Sequence, residues 1–120
     1  MTKPVAFIIE DDSKLNNIAS ITLQANFEIV SFMDGPSAAE RLNVSVPDLV
    51  VLDLHIPGMN GMEILRKIRS DERLSKTRVI LTTADERQAE TLREEADIVL
   101  LKPVSPGQLR ELALRISTSQ

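Results

Sequence analysis

The chain has 120 residues, 14 basic against 18 acidic, for a net charge of −4, and it contains no cysteine. This mild acidity argues against a direct nucleic-acid surface, and the missing cysteine excludes disulfides, thiolate metal sites and a cysteine nucleophile. Three phenylalanines, Phe7, Phe27 and Phe32, are the only aromatic residues and leave little for base stacking.

The elements are predicted in chain order. Met1-Thr2-Lys3-Pro4 leads straight into the apolar run Val5–Ile9, with no room for a signal peptide, and that run is too short to span a bilayer. A soluble cytoplasmic protein with no membrane association is expected. The run reads as a strand ending on Glu10-Asp11-Asp12. After the Asp12-Ser13 start, Leu15, Ile18, Ala19 and Thr22 fall on one helical face. Phe27 to Phe32 reads as a second strand and Pro36 to Leu42 as a short helix. Leu49–Leu52 is a third strand, running into Asp53. Asn60-Gly61-Met62-Glu63 caps a helix whose apolar face is Ile64, Leu65 and Ile68. Val79–Leu81 runs into Thr82-Thr83. A charged segment from Glu86 to Glu95 carries only a thin stripe of Ala89, Leu92 and Ala96. Ile98–Leu101 runs into Lys102. Ser105-Pro106-Gly107-Gln108 opens the last helix, lined by Leu109, Leu112, Ala113 and Ile116. Continuous apolar runs, rather than alternating ones, suit strands covered on both faces. Five β/α repeats with short loops predict one domain over residues 1–120, an α/β fold with a single parallel, doubly wound sheet.

The carboxyl ends of parallel strands lie side by side, and open α/β sheets bind ligands there. Three adjacent acids after a buried strand repel one another, so one must protonate or a cation must neutralise them. For Asp12, helix capping explains the residue as well as site chemistry does; a single cap does not need Glu10 and Asp11 too. Asp53 follows a buried strand and is not the cap of the next helix. With Asp11 it can hold a hard cation such as Mg²⁺ through oxygen ligands, and a carboxylate can also act as a nucleophile toward phosphorus. Lys102 precedes Pro103, which restricts its backbone and aims the ammonium. Of Thr82 and Thr83, strand alternation sends one toward the crevice.

The segments Ile8-Ile9-Glu10-Asp11-Asp12, Leu52-Asp53-Leu54-His55-Ile56-Pro57-Gly58-Met59-Asn60-Gly61, Leu81-Thr82-Thr83-Ala84 and Leu101-Lys102-Pro103 resemble, in order and spacing, the response-regulator receiver domain of two-component signalling. The resemblance covers essentially the whole chain. It implies a flavodoxin-like sheet of strand order 2-1-3-4-5. It also implies that Asp53 accepts a phosphoryl group from the phosphohistidine of a sensor histidine kinase or phosphotransfer protein. Glu10 and Asp11 would bind Mg²⁺ with the Asp53 side chain and the backbone carbonyl of His55. Thr83 would close onto the phosphoryl group, Lys102 would pair with its oxygens, and the altered surface would engage a downstream effector. Such a domain catalyses only its own phosphorylation and dephosphorylation.

Some positions depart from the pattern. Val99 stands where the family usually carries an aromatic three residues before the lysine. The 19 positions from Thr83 to Lys102 are short for the family, so the fourth helix is expected to be short or displaced. His55 and Asp85 occupy positions that tune phosphate loss in the family, and His55 otherwise reads as an exposed loop residue. Leu114, off the expected core face, is a candidate for a homodimer or partner surface. No effector domain is expected within the chain. Three rivals remain: a degenerate receiver acting as a scaffold, an aspartate-nucleophile phosphatase, and a flavin binder of the same strand order. The phosphatase needs an acid where His55 stands, and the flavin phosphate would be repelled by Glu10-Asp11-Asp12.

Overall fold

The computed structural model describes residues 2–118. Strands and helices alternate along it: β1 (Val5–Ile9), α1 (Ser13–Leu23), β2 (Glu28–Phe32), α2 (Gly35–Leu42), β3 (Leu49–Asp53), α3 (Gly61–Ser70), β4 (Arg78–Thr83), α4 (Glu86–Leu92), β5 (Ile98–Leu101) and α5 (Pro106–Thr118). A 3-10 turn, Glu72–Leu74, leads into β4 and was not expected from the pattern. The strands form one parallel sheet in the order β2-β1-β3-β4-β5, as the resemblance implied.

Side chains alternate across the sheet and feed two cores. Phe7, Ile9, Val50, Leu52, Val79 and Leu81 pack with α2, α3 and α4. Ala6, Ile8, Leu49, Val51, Ile80 and Leu100 pack with α1 and α5 through Leu23, Leu109 and Ala113. Each fully buried Val, Leu, Ile or Phe among them contributes roughly 1.5–3 kcal/mol of burial free energy. With β1 and β3 adjacent in the sheet, the connections leaving them run to opposite faces, through α1 and α3 respectively. The crevice at the carboxyl ends of β1 and β3 is therefore left open.

Three expectations are corrected. The α1 stripe reaches the core only in part: Ala19 packs half-buried against it and Thr22 is half-buried, but Leu15 and Ile18 are 42% and 46% exposed, and the buried α1 residues are Asn16 and Leu23. Hydrogen bonding explains the rotation. Asn16 Nδ2 donates to the carbonyls of Glu10 (2.9 Å) and Phe32 (3.1 Å), tying α1 to the ends of β1 and β2. Leu114 is half-buried against the α1/α5 core rather than off it, because α5 is apolar on a wide arc. β3 and β4 also run past their apolar runs, since Asp53 pairs with Thr82 and Thr83 with Leu101 in the ladder. As expected, α4 is short, at seven residues. Ala96 packs into the core from beyond its end.

Candidate functional site

Glu10 is the first residue past β1. Its N–H donates to Phe32 O at 3.1 Å, which continues the ladder and holds the residue 8% exposed. Asp53 closes β3 and is 4% exposed on the α1/α5 side of the sheet, in phase with Leu49 and Val51. Lys102 follows β5, and its N–H donates to Thr83 O at 2.8 Å. These three backbone positions put one ammonium between two carboxylates. Lys102 Nζ donates to Glu10 Oε1 at 2.8 Å and to Asp53 Oδ2 at 3.0 Å. The peptide bond from Lys102 to Pro103 is cis.

The remaining carboxylate oxygens are held by backbone. Glu10 Oε2 accepts the Asp12 N–H (3.2 Å) and Asp53 Oδ1 accepts the His55 N–H (3.1 Å). Asp11 is exposed at the rim, yet one carboxylate oxygen each from Glu10, Asp11 and Asp53 lie within 4.8 Å of one another. Three carboxylates against one ammonium leave an excess of negative charge. Burial lifts the Glu10 carboxyl above the usual carboxylate range; the Lys102 hydrogen bond opposes that lift and neighbouring Asp53 adds to it. Burial works against the Lys102 charge, but the Glu10 and Asp53 carboxylates outweigh it and hold the ammonium above the usual lysine range. An oxygen-only donor set with surplus charge and an exposed member fits a hard divalent cation such as Mg²⁺, which retains several waters.

Local sequence explains the scaffold. Asp12 caps α1, accepting from the Lys14 and Leu15 N–H groups, so its carboxylate is engaged away from the cluster. Asn60 caps α3 through the Met62 N–H. Gly61 lets α3 start against the end of β3: a Cβ there would lie 2.7 Å from Leu54 Cα and O and 2.9 Å from Asp53 O. Gly58, at φ +82°, makes the left-handed turn before it.

Of the residues singled out from sequence, Glu10, Asp11, Asp53 and Lys102 converge. His55 is exposed and reaches the cluster through its N–H. Thr83 does not converge. Alternation turns it to the α2–α4 side, where it is fully buried and its Oγ1 accepts the Asp85 N–H at 3.1 Å. Thr82 is the threonine in register with Asp53, and it lines a cavity together with Asp53 and Lys102. Asp85 caps α4 through the Arg87 and Gln88 N–H groups. Val99 is half-buried on the α3/α4 core. Sequence reasoning missed Asn16. The available signal was an asparagine inside an otherwise helical, apolar-rich segment, where a polar side chain needs a partner if buried.

Comparison with known proteins identifies the family. The family model described as "Response regulator receiver domain" matches residues 6–114. The phosphate regulon transcriptional regulatory protein PhoB of Rhizobium meliloti is 31% identical over 110 residues, 88% of this chain and 48% of that protein. The DNA-binding response regulator MtrA of Mycobacterium tuberculosis is 32% identical over 106 residues, 85% of this chain and 45% of that protein. The chain thus spans about half the length of these relatives, and only 8% of hybrid signal transduction histidine kinase D of Dictyostelium discoideum. Among solved structures, the chemotaxis response regulator CheY4 of Vibrio cholerae superposes with a TM-score of 0.87 over 96% of this chain and 99% of that one, at 23% identity, which speaks to the fold. Since the sequence match runs from the first strand into the last helix, the chain belongs to the response regulator receiver domains of two-component systems.

Proposed function

We propose that the chain is a phosphorylation-controlled switch in which Asp53 accepts one phosphoryl group from a phosphohistidine. The observation that carries this is the pairing of a 4% exposed Asp53 with Lys102, 3.0 Å away, beside two further carboxylates. Transfer forms a bond from an Asp53 carboxylate oxygen to phosphorus and breaks the phosphorus–nitrogen bond of the donor imidazole, which leaves with its electron pair. Phosphoryl transfer asks the protein mainly for positioning and charge compensation. The His55 N–H orients Asp53 through Oδ1, and Lys102 is placed to follow the charge from the carboxylate onto the phosphoryl oxygens. Glu10, Asp11, Asp53 and the His55 carbonyl would hold Mg²⁺, which when bound supplies the remaining charge neutralisation.

The added phosphoryl group carries roughly −1.5 to −2 charges and strong acceptor oxygens. Its acceptors would draw the Thr83 O–H, a donor the Asp85 N–H bond leaves unused, from the α2–α4 side toward Asp53, and that movement would shift the β4–α4 junction and the surface an effector reads. The DrrB receiver domain, 26% identical here, has been solved in a BeF₃-activated form, which supports this reading for a related pocket.

Acetyl phosphate with Mg²⁺ is expected to add the mass of a single phosphoryl group, and Asp53→Asn to abolish the gain, read by intact-mass spectrometry. No gain from any phosphoryl donor leaves only a scaffold. Many turnovers of a phosphate ester per chain point to a phosphatase instead.

A further inference from the structure

On the Asp53 side of the sheet, between α1 and the start of α5, lies a cavity of about 330 Å³. It lies within the range of small-molecule pockets, roughly 300–1,000 Å³. Its walls are apolar: Leu15, Ile18 and Ala19 from α1 face Val104 and Leu109 across the gap. Ala19 and Val104, on facing walls, carry short side chains that leave the space between α1 and α5 unfilled. Leu15 and Ile18, 42% and 46% exposed, form a rim open to solvent.

Glu10, Asp53, Thr82 and Lys102 are the polar residues among those that line it. Two carboxylates face one ammonium there, so one negative charge is in excess. Each carboxylate has about four lone-pair positions, and Glu10 and Asp53 each use two of them in bonds within the chain. Acceptor capacity and charge both favour a donor cation, whereas an anionic head group meets two carboxylates and an ammonium already engaged by both.

We propose that this cavity is a binding site for a small organic cation, with an aromatic or branched aliphatic body between α1 and α5 and an ammonium or amidinium head on Glu10 and Asp53. Apolar walls with a few convergent polar groups at one end are the usual composition of such sites. A molecule bound there occupies the oxygens that accept the metal and the phosphoryl group, and so antagonises phosphorylation. Only that consequence rests on the proposed switch; binding itself does not.

The test is a fluorescence titration of the metal-free whole chain with 2-naphthylmethylamine, compared with 2-naphthoate and 2-naphthalenemethanol. The amine is expected to saturate one site and to bind at least about tenfold more tightly than the acid or the alcohol. Ala19→Phe and Val104→Phe fill the cavity from opposite walls, and Glu10→Gln removes one charge. Each is expected to weaken the amine by roughly tenfold or more, with folding checked by circular dichroism. Absence of saturation, equal binding of all three naphthalenes, or unchanged binding in the folded variants overturns the proposal. In the wild-type chain the amine is expected to slow phosphoryl uptake from acetyl phosphate. If the chain takes up no phosphoryl group at all, the switch reading falls while the binding measurements still decide the cavity.

Discussion

At the scale of single residues, a few polar side chains decide what the apolar ones do. Asn16 holds two strand-end carbonyls with one amide group, and this bond pair sets the rotation of α1. Replacing it by alanine leaves buried carbonyl acceptors without their side-chain donor. Asn16→Ala is therefore expected to destabilise the chain by about 1–3 kcal/mol in urea denaturation, although no apolar contact is lost. A change under a few tenths of that would mean water replaces the amide. Lys102 plays the same part for charge: it reconciles Glu10 with Asp53, and its raised affinity for the proton keeps it charged until strongly alkaline pH. Asp12 and Asp85 spend their carboxylates on helix starts, which separates them chemically from neighbouring Asp11 and Thr83.

At the scale of elements, the β3–α3 connection positions the acceptor. Asp53 ends the strand, Gly58 turns the chain, Asn60 caps, and Gly61 N–H donates to Leu54 O at 3.0 Å. A methyl group at Gly61 would press on the backbone of Leu54 and Asp53, atoms with nowhere to yield. Gly61→Ala is expected to cost about 1–3 kcal/mol and to slow phosphoryl uptake, because the displaced atoms include the acceptor's own carbonyl. Unchanged uptake in a destabilised variant would show that the loop absorbs the strain without moving Asp53. The seven-residue α4 is the counterpart on the output side. A helix this short gains little from its own hydrogen bonds and leans on its Asp85 cap and on buried Ala89 and Leu92.

At the scale of the whole molecule, the acidic crevice trades stability for chemistry. The raised Glu10 pKa means that the folded chain binds this proton more tightly than the unfolded chain. Its contribution to stability is fully present below the ordinary glutamate titration and lost as pH rises through the window just above it. Half-buried Asp71, lowered by the Arg73 hydrogen bond, acts with the opposite sign at more acidic pH. In metal-free buffer, Glu10→Gln is expected to raise the urea midpoint at pH 7 and to flatten its fall as pH rises just past the usual carboxylate range. Parallel pH curves for the two chains would mean that Lys102 already neutralises the site. Strand runs, caps and the strand-end acids were legible in the chain because burial demands apolar runs and helix starts demand short polar residues. The grouping of Glu10, Asp11, Asp53 and Lys102 followed once parallel strands were assumed. The facing of Thr83, the inward turn of Asn16 and the space beside Ala19 were not legible. Each depends on which of several near-equal local arrangements the neighbouring elements permit, and that choice is made by hydrogen bonds and packing between segments far apart in sequence.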